Sequence, residues 1–450
     1  MRNWLPAVLA SLMVAGVVSC VKAQLVAPGG APADAAQKFI DELVAEDFAK
    51  AAASFDQTMA AAMPADKLGQ TWQAVVGQLG PYQESVSAKC SKQQGFDVVT
   101  VNCQFKRDLI GIKVVLNAQG QISGLWFVPP DRSDDYQPPA YIRADAFRET
   151  EVKIGTGEWA LPGTLSMPAG DGPFPAVVLV HGSGPQDRDE TIGPNKPFRD
   201  LAGGLASRGI AVLRYEKRSK VYGAKLIQHQ DGLTVKQETI DDALAAVALL
   251  RQTKGVDPAR VFVVGHSLGA MLAPRIAAAD PKLAGIVIMA GPTRPFEDVA
   301  AEQLDYVAAV RGNLSPAEKQ EFDKLKAQLV RVKDPNLEAD AKPGELLFYA
   351  PVSYWLDLRG YKPATVAAGL NLPMLVLQGG RDYQVTRADF AGWQQALGDR
   401  KNVTLKLYDN LNHLFAAGQG MATPDEYGHP MHIAPEVIGD IATWVAAQPK

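Results

Sequence analysis

Hydrophobic and polar positions change their rhythm three times along the chain. Residues 5–18 form a largely apolar run of fourteen residues behind Arg2. The run is too short to span a bilayer comfortably and has the form of an export signal. An Ala/Pro/Gly-rich stretch at 24–33 reads as a linker. Helical spacing follows, with Phe39/Leu43 and Ile40/Val44 four residues apart and Asp34 as the N-cap candidate. A second helix from about Pro64 lines up Leu68, Trp72, Val76 and Leu79. The period then shortens, and four strands are expected at 83–90, 96–105, 109–116 and 122–128, with a turn at Asn117-Ala118-Gln119-Gly120. Helices followed by an antiparallel sheet predict a small α+β domain over 34–128.

The polar, proline-rich segment 129–145 reads as a domain boundary. Beyond it, over 146–450, strands are expected near 149–154 and 161–167. Short apolar runs at 176–180, 210–213, 261–264, 286–289, 374–377 and 403–407 then alternate with helical stretches. Helices are expected at 197–208, at 235–253 behind a Thr234…Gln237 capping box, and from 268. Strands that are apolar on both faces predict a mostly parallel sheet covered by helices on each side, an α/β class. The long helical stretch at about 296–370 is more connection than neighbouring strands need, and reads as an inserted lid.

Composition adds bounds. The chain has 450 residues, 47% hydrophobic and 21% charged, which suits two ordinary globular domains. A net charge of -4 without a basic stretch gives no reason to expect a nucleic-acid partner. The three cysteines form no Cys/His cluster of zinc spacing. The leader reads two ways. Val21-Lys22-Ala23 suits cleavage of a signal peptide after residue 23, whereas Val17-Val18-Ser19-Cys20 resembles a lipobox that would leave a lipidated Cys20. Either implies export, to the periplasm or beyond, with membrane attachment only through Cys20. An oxidising compartment favours a Cys90–Cys103 disulfide. A simple hairpin at Gln93-Gln94-Gly95 opposes that pairing, because it sets Cys90 against about Val98.

Candidate chemistry centres on Gly265-His266-Ser267-Leu268-Gly269, between an expected strand and an expected helix. A nucleophilic serine must stand on a sharp strand-to-helix turn, and side chains two residues to either side would collide with their surroundings. The string alone is weak evidence, and its strand-to-helix context strengthens it. The helix start favours an oxyanion, with the Leu268 N–H as one donor. The second donor is expected from His181-Gly182-Ser183-Gly184-Pro185, with Ser183 first and Gly182 next. The order serine, acid, histidine leaves His413, His429 and His432 as bases. His413 follows the 403–407 strand by a short loop and is preferred. Asp382, after Gly379-Gly380-Arg381, is the expected acid, and Asp409 is its rival. Asp187-Arg188-Asp189-Glu190 reads as a solvated or salt-bridged loop brace. Tyr354 and Trp355, in an aromatic stretch from Tyr349, and Tyr383 beside the acid are candidate substrate contacts, with lid packing as the competing reading.

Taken in order, His181-Gly182-Ser183-Gly184-Pro185, Asp187-Arg188-Asp189, Gly265-His266-Ser267-Leu268-Gly269, Gln378-Gly379-Gly380-Arg381-Asp382-Tyr383 and Asn412-His413-Leu414-Phe415 resemble the EstD-like bacterial carboxylesterases of the α/β-hydrolase superfamily, over roughly 146–450. The resemblance implies the α/β-hydrolase fold, esterase activity usually on short acyl chains, and triad roles for Ser267, Asp382 and His413. Gly380 departs from the larger polar residue expected there. Residues of about 35–128 are similar to a small domain of unknown function, related to the nuclear-transport-factor-like fold, that precedes some of these hydrolases. The expected reaction is acyl transfer from a small-molecule ester to water through an acyl-enzyme. The alternatives are a serine aminopeptidase or acylpeptide hydrolase, with Glu302 or Asp305 holding a substrate amine, and a thioesterase. From another class, a binding module on an inactive scaffold is disfavoured by the complete Ser/His/Asp set.

Overall fold

The computed structural model describes residues 30–131 and 136–449, apart from 94, 129, 229–232, 338–340, 342–344 and 348–349. The leader with Cys20, His229 and Tyr349 lie outside the described residues. The chain divides into two compact units, one up to residue 131 and one from residue 136.

The first unit opens with helices Ala31–Val44, Phe48–Ala52, Gln57–Ala62 and Ala65–Leu79. Gly30, not Asp34, is the N-cap of the first. A proline in the first two helical positions starts the helix early, and Asp34 falls in its first turn, where its charge suits the helix dipole. Four antiparallel strands follow in simple order, β1 (Tyr82–Gln93), β2 (Phe96–Phe105), β3 (Leu109–Leu116) and β4 (Ile122–Val128). Val99, Val101, Cys103 and Phe105 turn one face of β2 onto Phe39, Leu43 and Trp72, so the period of two in the strand meets the helical stripe.

The expected disulfide is not formed, and Cys90 and Cys103 are both free. The register sets Cys90 against Val99 and Cys103 against Ser85. Cys103 is four residues beyond Val99, about 13 Å along the strand, and a disulfide needs Cα atoms within about 7 Å. Burial pushes the Cys103 thiol up to about 11.

The second unit holds an eight-stranded sheet of β5 (Phe147–Ile154), β6 (Leu161–Pro168), β7 (Phe174–Val180), β8 (Ala211–Tyr215), β9 (Val256–His266), β10 (Gly285–Met289), β11 (Met374–Gly379) and β12 (Val403–Tyr408), in the order β12-β11-β10-β9-β7-β8-β6-β5. The strands from β8 to β12 run parallel, and β5 and β6 form an antiparallel edge. Alternate residues explain the continuous apolar runs. Val178, Val263, Ile286 and Val376 pack under helices Asp241–Gln252, Leu268–Ala279 and Arg387–Leu397. Val177, Val264, Val287 and Leu375 pack under Pro197–Ala206 and Pro435–Ala447. The Thr234/Gln237 capping box forms in both directions at 3.2 and 3.0 Å.

Between β10 and β11 the described residues form four lid helices, Phe296–Arg311, Pro316–Lys333, Val352–Leu358 and Pro363–Ala368, and Leu304, Phe322, Leu325 and Trp355 of the lid share a core with Leu268 and Met271 of the helix after Ser267. No helix among the described residues is long and apolar enough to cross a membrane.

Candidate active site

Strand β9 delivers His266, and helix Leu268–Ala279 begins immediately after Ser267. Ser267 takes φ 53° and ψ -118°, a left-handed backbone that costs a non-glycine residue about 1–3 kcal/mol. The turn is held by Ser267 N–H donating to Met289 O of β10 at 2.9 Å. Both flanking glycines are sterically required. A Cβ on Gly265 would lie 2.4 Å from Gly269 O, and one on Gly269 would lie 2.2 Å from Val180 O of β7. The Leu268 amide belongs to the first helical turn, which has no intrahelical acceptor.

His413 and Asp382 meet across the C-terminal ends of β11 and β12. The His413 imidazole Nδ1 stands 2.7 Å from Asp382 Oδ2, and both side chains are buried. A carboxylate there selects the Nδ1–H tautomer and leaves Nε2 as the basic nitrogen. Asp382 is itself anchored, since Oδ1 accepts from the amides of Gln384 and Val385 at 2.8 and 3.0 Å. Gly380 has a steric reason in place of the larger polar residue. A Cβ there would lie 2.7 Å from Asp409 Cα, so the loop bearing His413 passes too close for any side chain. Asp409 points outward to Arg387 at 2.6 Å and is exposed, whereas Asp382 is the carboxylate that meets His413. His429 is exposed, and His432 pairs with Asp200 at 3.2 Å, so neither joins this cluster.

The charge cluster after β7 behaves in two ways. Arg188 reaches Glu151 and Glu216 at 2.6 and 2.8 Å, and Asp189 pairs with Arg214, as a brace should. Glu190 differs. It is 1% exposed and has φ 51°. Its Oε1 accepts the Gly182 N–H at 2.7 Å, and its Oε2 lies 2.9 Å from His266 Nδ1. The other nitrogen of His266 donates to the His413 carbonyl at 3.0 Å, and the two imidazole rings stand 4.7 Å apart. One buried carboxylate–imidazole pair therefore ties the loop after β7 to the loop that carries His413. Burial opposes charge on both groups, but their mutual attraction prevails, holding His266 above and Glu190 below their ordinary pKa ranges. His181 is different again. Burial pushes it down to about 4, and it packs between Phe198 and Tyr215.

Gly182 needs its missing side chain, because a Cβ there would lie 3.2 Å from both Ser267 Cβ and Glu190 Oε1. Its N–H is already given to Glu190, so Ser183 is the remaining donor of the expected pair. Ser183 and Ser267 line one small cleft with Pro292, Gln384 and Val385 on one side and Phe296, Val299, Ala300 and Gln303 of the first lid helix on the other.

The expected aromatic contacts lie elsewhere. Tyr354 and Trp355 are 7% and 2% exposed within the lid core, where the Tyr354 hydroxyl donates to Glu238 at 3.2 Å and Trp355 stacks on Phe296. Tyr383 stacks on Tyr306 with centroids 4.9 Å apart. All three pack the lid rather than line the cleft. Aromatics on the inner face of a short helix are claimed first by core burial.

Comparison with known proteins agrees with this architecture. A model described as alpha/beta hydrolase family matches residues 177–438, and one described as protein of unknown function (DUF3887) matches residues 36–125. Esterase EstD of Thermotoga maritima is 39% identical over 409 residues, covering 90% of this chain and 93% of that protein. Esterase FrsA of Klebsiella pneumoniae is 29% identical over 157 residues, 35% of this chain and 34% of its own. An esterase of Pyrococcus furiosus superposes with a TM-score of 0.44 at 17% identity, over 69% of this chain and 97% of that one. The chain belongs to the alpha/beta hydrolase family, in the group that includes esterase EstD.

Proposed function

We propose that this enzyme hydrolyses carboxylic esters with short acyl chains, with Ser267 as nucleophile, His413 as base and Asp382 as the orienting acid. The observation that carries the reading is the 2.7 Å Asp382–His413 pair built beside the strained Ser267 turn. Ser267 Oγ attacks the ester carbonyl while His413 Nε2 takes its proton. The oxyanion is received by the N–H groups of Leu268 and Ser183. The protonated His413 returns the proton to the departing alcohol, leaving Ser267 acylated. Water, deprotonated by His413, then releases the acid. No step calls for a metal or organic cofactor.

The small cleft supports short acyl groups, since Phe296, Val299 and Ala300 close its lid side. The same apparatus serves thioesters and amides. Against an aminopeptidase stands the pairing of both lid carboxylates suggested for a substrate amine, Glu302 with Arg294 at 2.5 Å and Asp305 with Lys326 at 2.8 Å. The apolar run at 5–18 supports export to the periplasm or beyond, with anchoring only if Cys20 is lipidated. Hydrolysis of p-nitrophenyl acetate, butyrate and octanoate, beside an aminoacyl-p-nitroanilide and Ser267→Ala, tests the reading. It holds if short esters are preferred and turnover vanishes in the variant, and it fails if only the anilide is cleaved.

A further inference from the structure

A second buried charge meets the oxyanion loop from below, and the reaction scheme leaves it without a task. Lys217, just past the end of β8, is 2% exposed. Its ammonium donates to the Gly182 carbonyl at 2.8 Å and lies 3.5 Å from Glu238, which accepts from the Tyr354 hydroxyl of the lid at 3.2 Å. The Lys217 main chain grips the same loop. Its N–H donates to Gln186 O at 3.1 Å, and Gln186 Nε2 donates to Ser183 O at 3.1 Å.

We infer that Lys217 is a positioning residue for the oxyanion hole, setting the plane of the Gly182–Ser183 peptide and linking that peptide to the lid through Glu238 and Tyr354. The geometry of one peptide unit carries this role, which rests on the esterase reading above. The Gly182 carbonyl and the Ser183 N–H belong to the same planar trans group and point in opposite directions. An ammonium that draws the carbonyl inward therefore turns the N–H outward, to the cleft that Ser183 and Ser267 share. Glu190 fixes the preceding peptide by taking the Gly182 N–H, so the Gly182–Ser183 unit is held at both ends. A cation on the carbonyl also polarises the peptide and strengthens its N–H as a donor. Burying an ammonium is costly, and Glu238 alone would balance the charge. The direct contact with the loop carbonyl is what a merely structural ion pair would lack.

The test compares wild type, Ser267→Ala, Lys217→Met and Lys217→Arg in p-nitrophenyl butyrate hydrolysis, normalised by active-site titration, and in inhibition by butylboronic acid. The boronate forms a tetrahedral adduct on serine and reads the oxyanion hole directly. Removing one oxyanion donor costs about 10²–10³ in kcat, so misaiming one should cost roughly tenfold to a hundredfold. Lys217→Met is expected to lose that much kcat per titrated site with KM within about twofold, to lose boronate affinity in parallel, and to be partly rescued in Lys217→Arg. Wild-type kcat per titrated site in Lys217→Met, or a fall in kcat with boronate affinity intact, overturns the inference. Should Lys217→Met not fold, Lys217→Arg carries the same comparison, because its longer planar head displaces the carbonyl and must lower kcat and boronate affinity together. Wild-type protein without Ser267-dependent turnover overturns the esterase reading itself, an outcome distinct from a Lys217 effect that is absent.

Discussion

At the scale of single residues, the site is a set of buried charges, each with a partner. Asp382 accepts two amides and faces His413, whereas Asp409 is solvated beside Arg387. Asp382→Asn removes the acceptor that selects the His413 tautomer and should lower kcat by about four orders of magnitude, while Asp409→Asn should stay within about twofold of wild type. Equal losses in the two variants would reverse the assignment. The Glu190–His266 pair makes a prediction about stability. His266 has a raised folded pKa, so its contribution is complete below about 6.5 and is lost as pH climbs through the folded value. Glu190 has a depressed folded pKa, so its contribution is complete above about 4.3 and is lost as pH falls through the folded value. Both are present between those limits. Glu190→Gln keeps an acceptor for Gly182 but leaves a buried imidazole unpaired, and should cost about 3–5 kcal/mol near pH 5.5. Urea unfolding should show that difference shrinking at alkaline pH, and a difference independent of pH would refute the ion pair. Ser267, His413 and Asp382 could be proposed from the sequence because a motif and a chain order single them out. Glu190 and Lys217 were not, because nothing in their spacing separates a buried clamp from a surface charge, and only the fold of β7 and β8 brings both to Gly182.

At the scale of elements, what could be read depended on whether burial was one-sided or complete. Continuous apolar runs marked the parallel strands, although β9 begins at Val256, ahead of its apolar run at 261–264, and alternation marked β2 and β3. Helices Phe48–Ala52 and Gln57–Ala62 are too short to show a period, and Arg218–Gln228 carries too many charges for its Val221 and Tyr222 contacts to stand out. The Cys90–Cys103 expectation failed at this scale too, since it rested on an expected compartment, and the strand register forbids the bridge. The elbow joins three elements. A Cβ at Gly269 would fall 2.2 and 2.6 Å from the carbonyl oxygens of Val180 and His181, so Gly269→Ala must push helix Leu268–Ala279 away from β7. Overpacking of this kind costs about 1–3 kcal/mol, and the shift also misplaces both oxyanion donors. The variant should melt lower and lose most of its turnover, and one as stable and active as wild type would show that the contact is loose.

At the scale of the whole molecule, the change from an antiparallel to a parallel pattern was visible in the sequence, and each unit has a core of its own. The expected boundary at 129–145 was drawn too long, since the hydroxyls of Tyr136 and Tyr141 donate to Asp200 and the Ile433 carbonyl within the second unit. The lid was visible only as surplus length. Tyr354 and Trp355 were open to two readings, substrate contact or lid packing, because aromatic residues suit a core face and a pocket wall alike, and the structure places them in the lid core. Membership of the family shows the scaffold, and the account of its chemistry stands on Ser267 becoming acylated. The most direct measurement is an acid quench of the enzyme during p-nitrophenyl acetate turnover, followed by peptide mass analysis. Expected is an acetyl group on Ser267 in wild type and no such adduct in Ser267→Ala. Turnover with Ser267 unmodified, or persisting undiminished in Ser267→Ala, would contradict it.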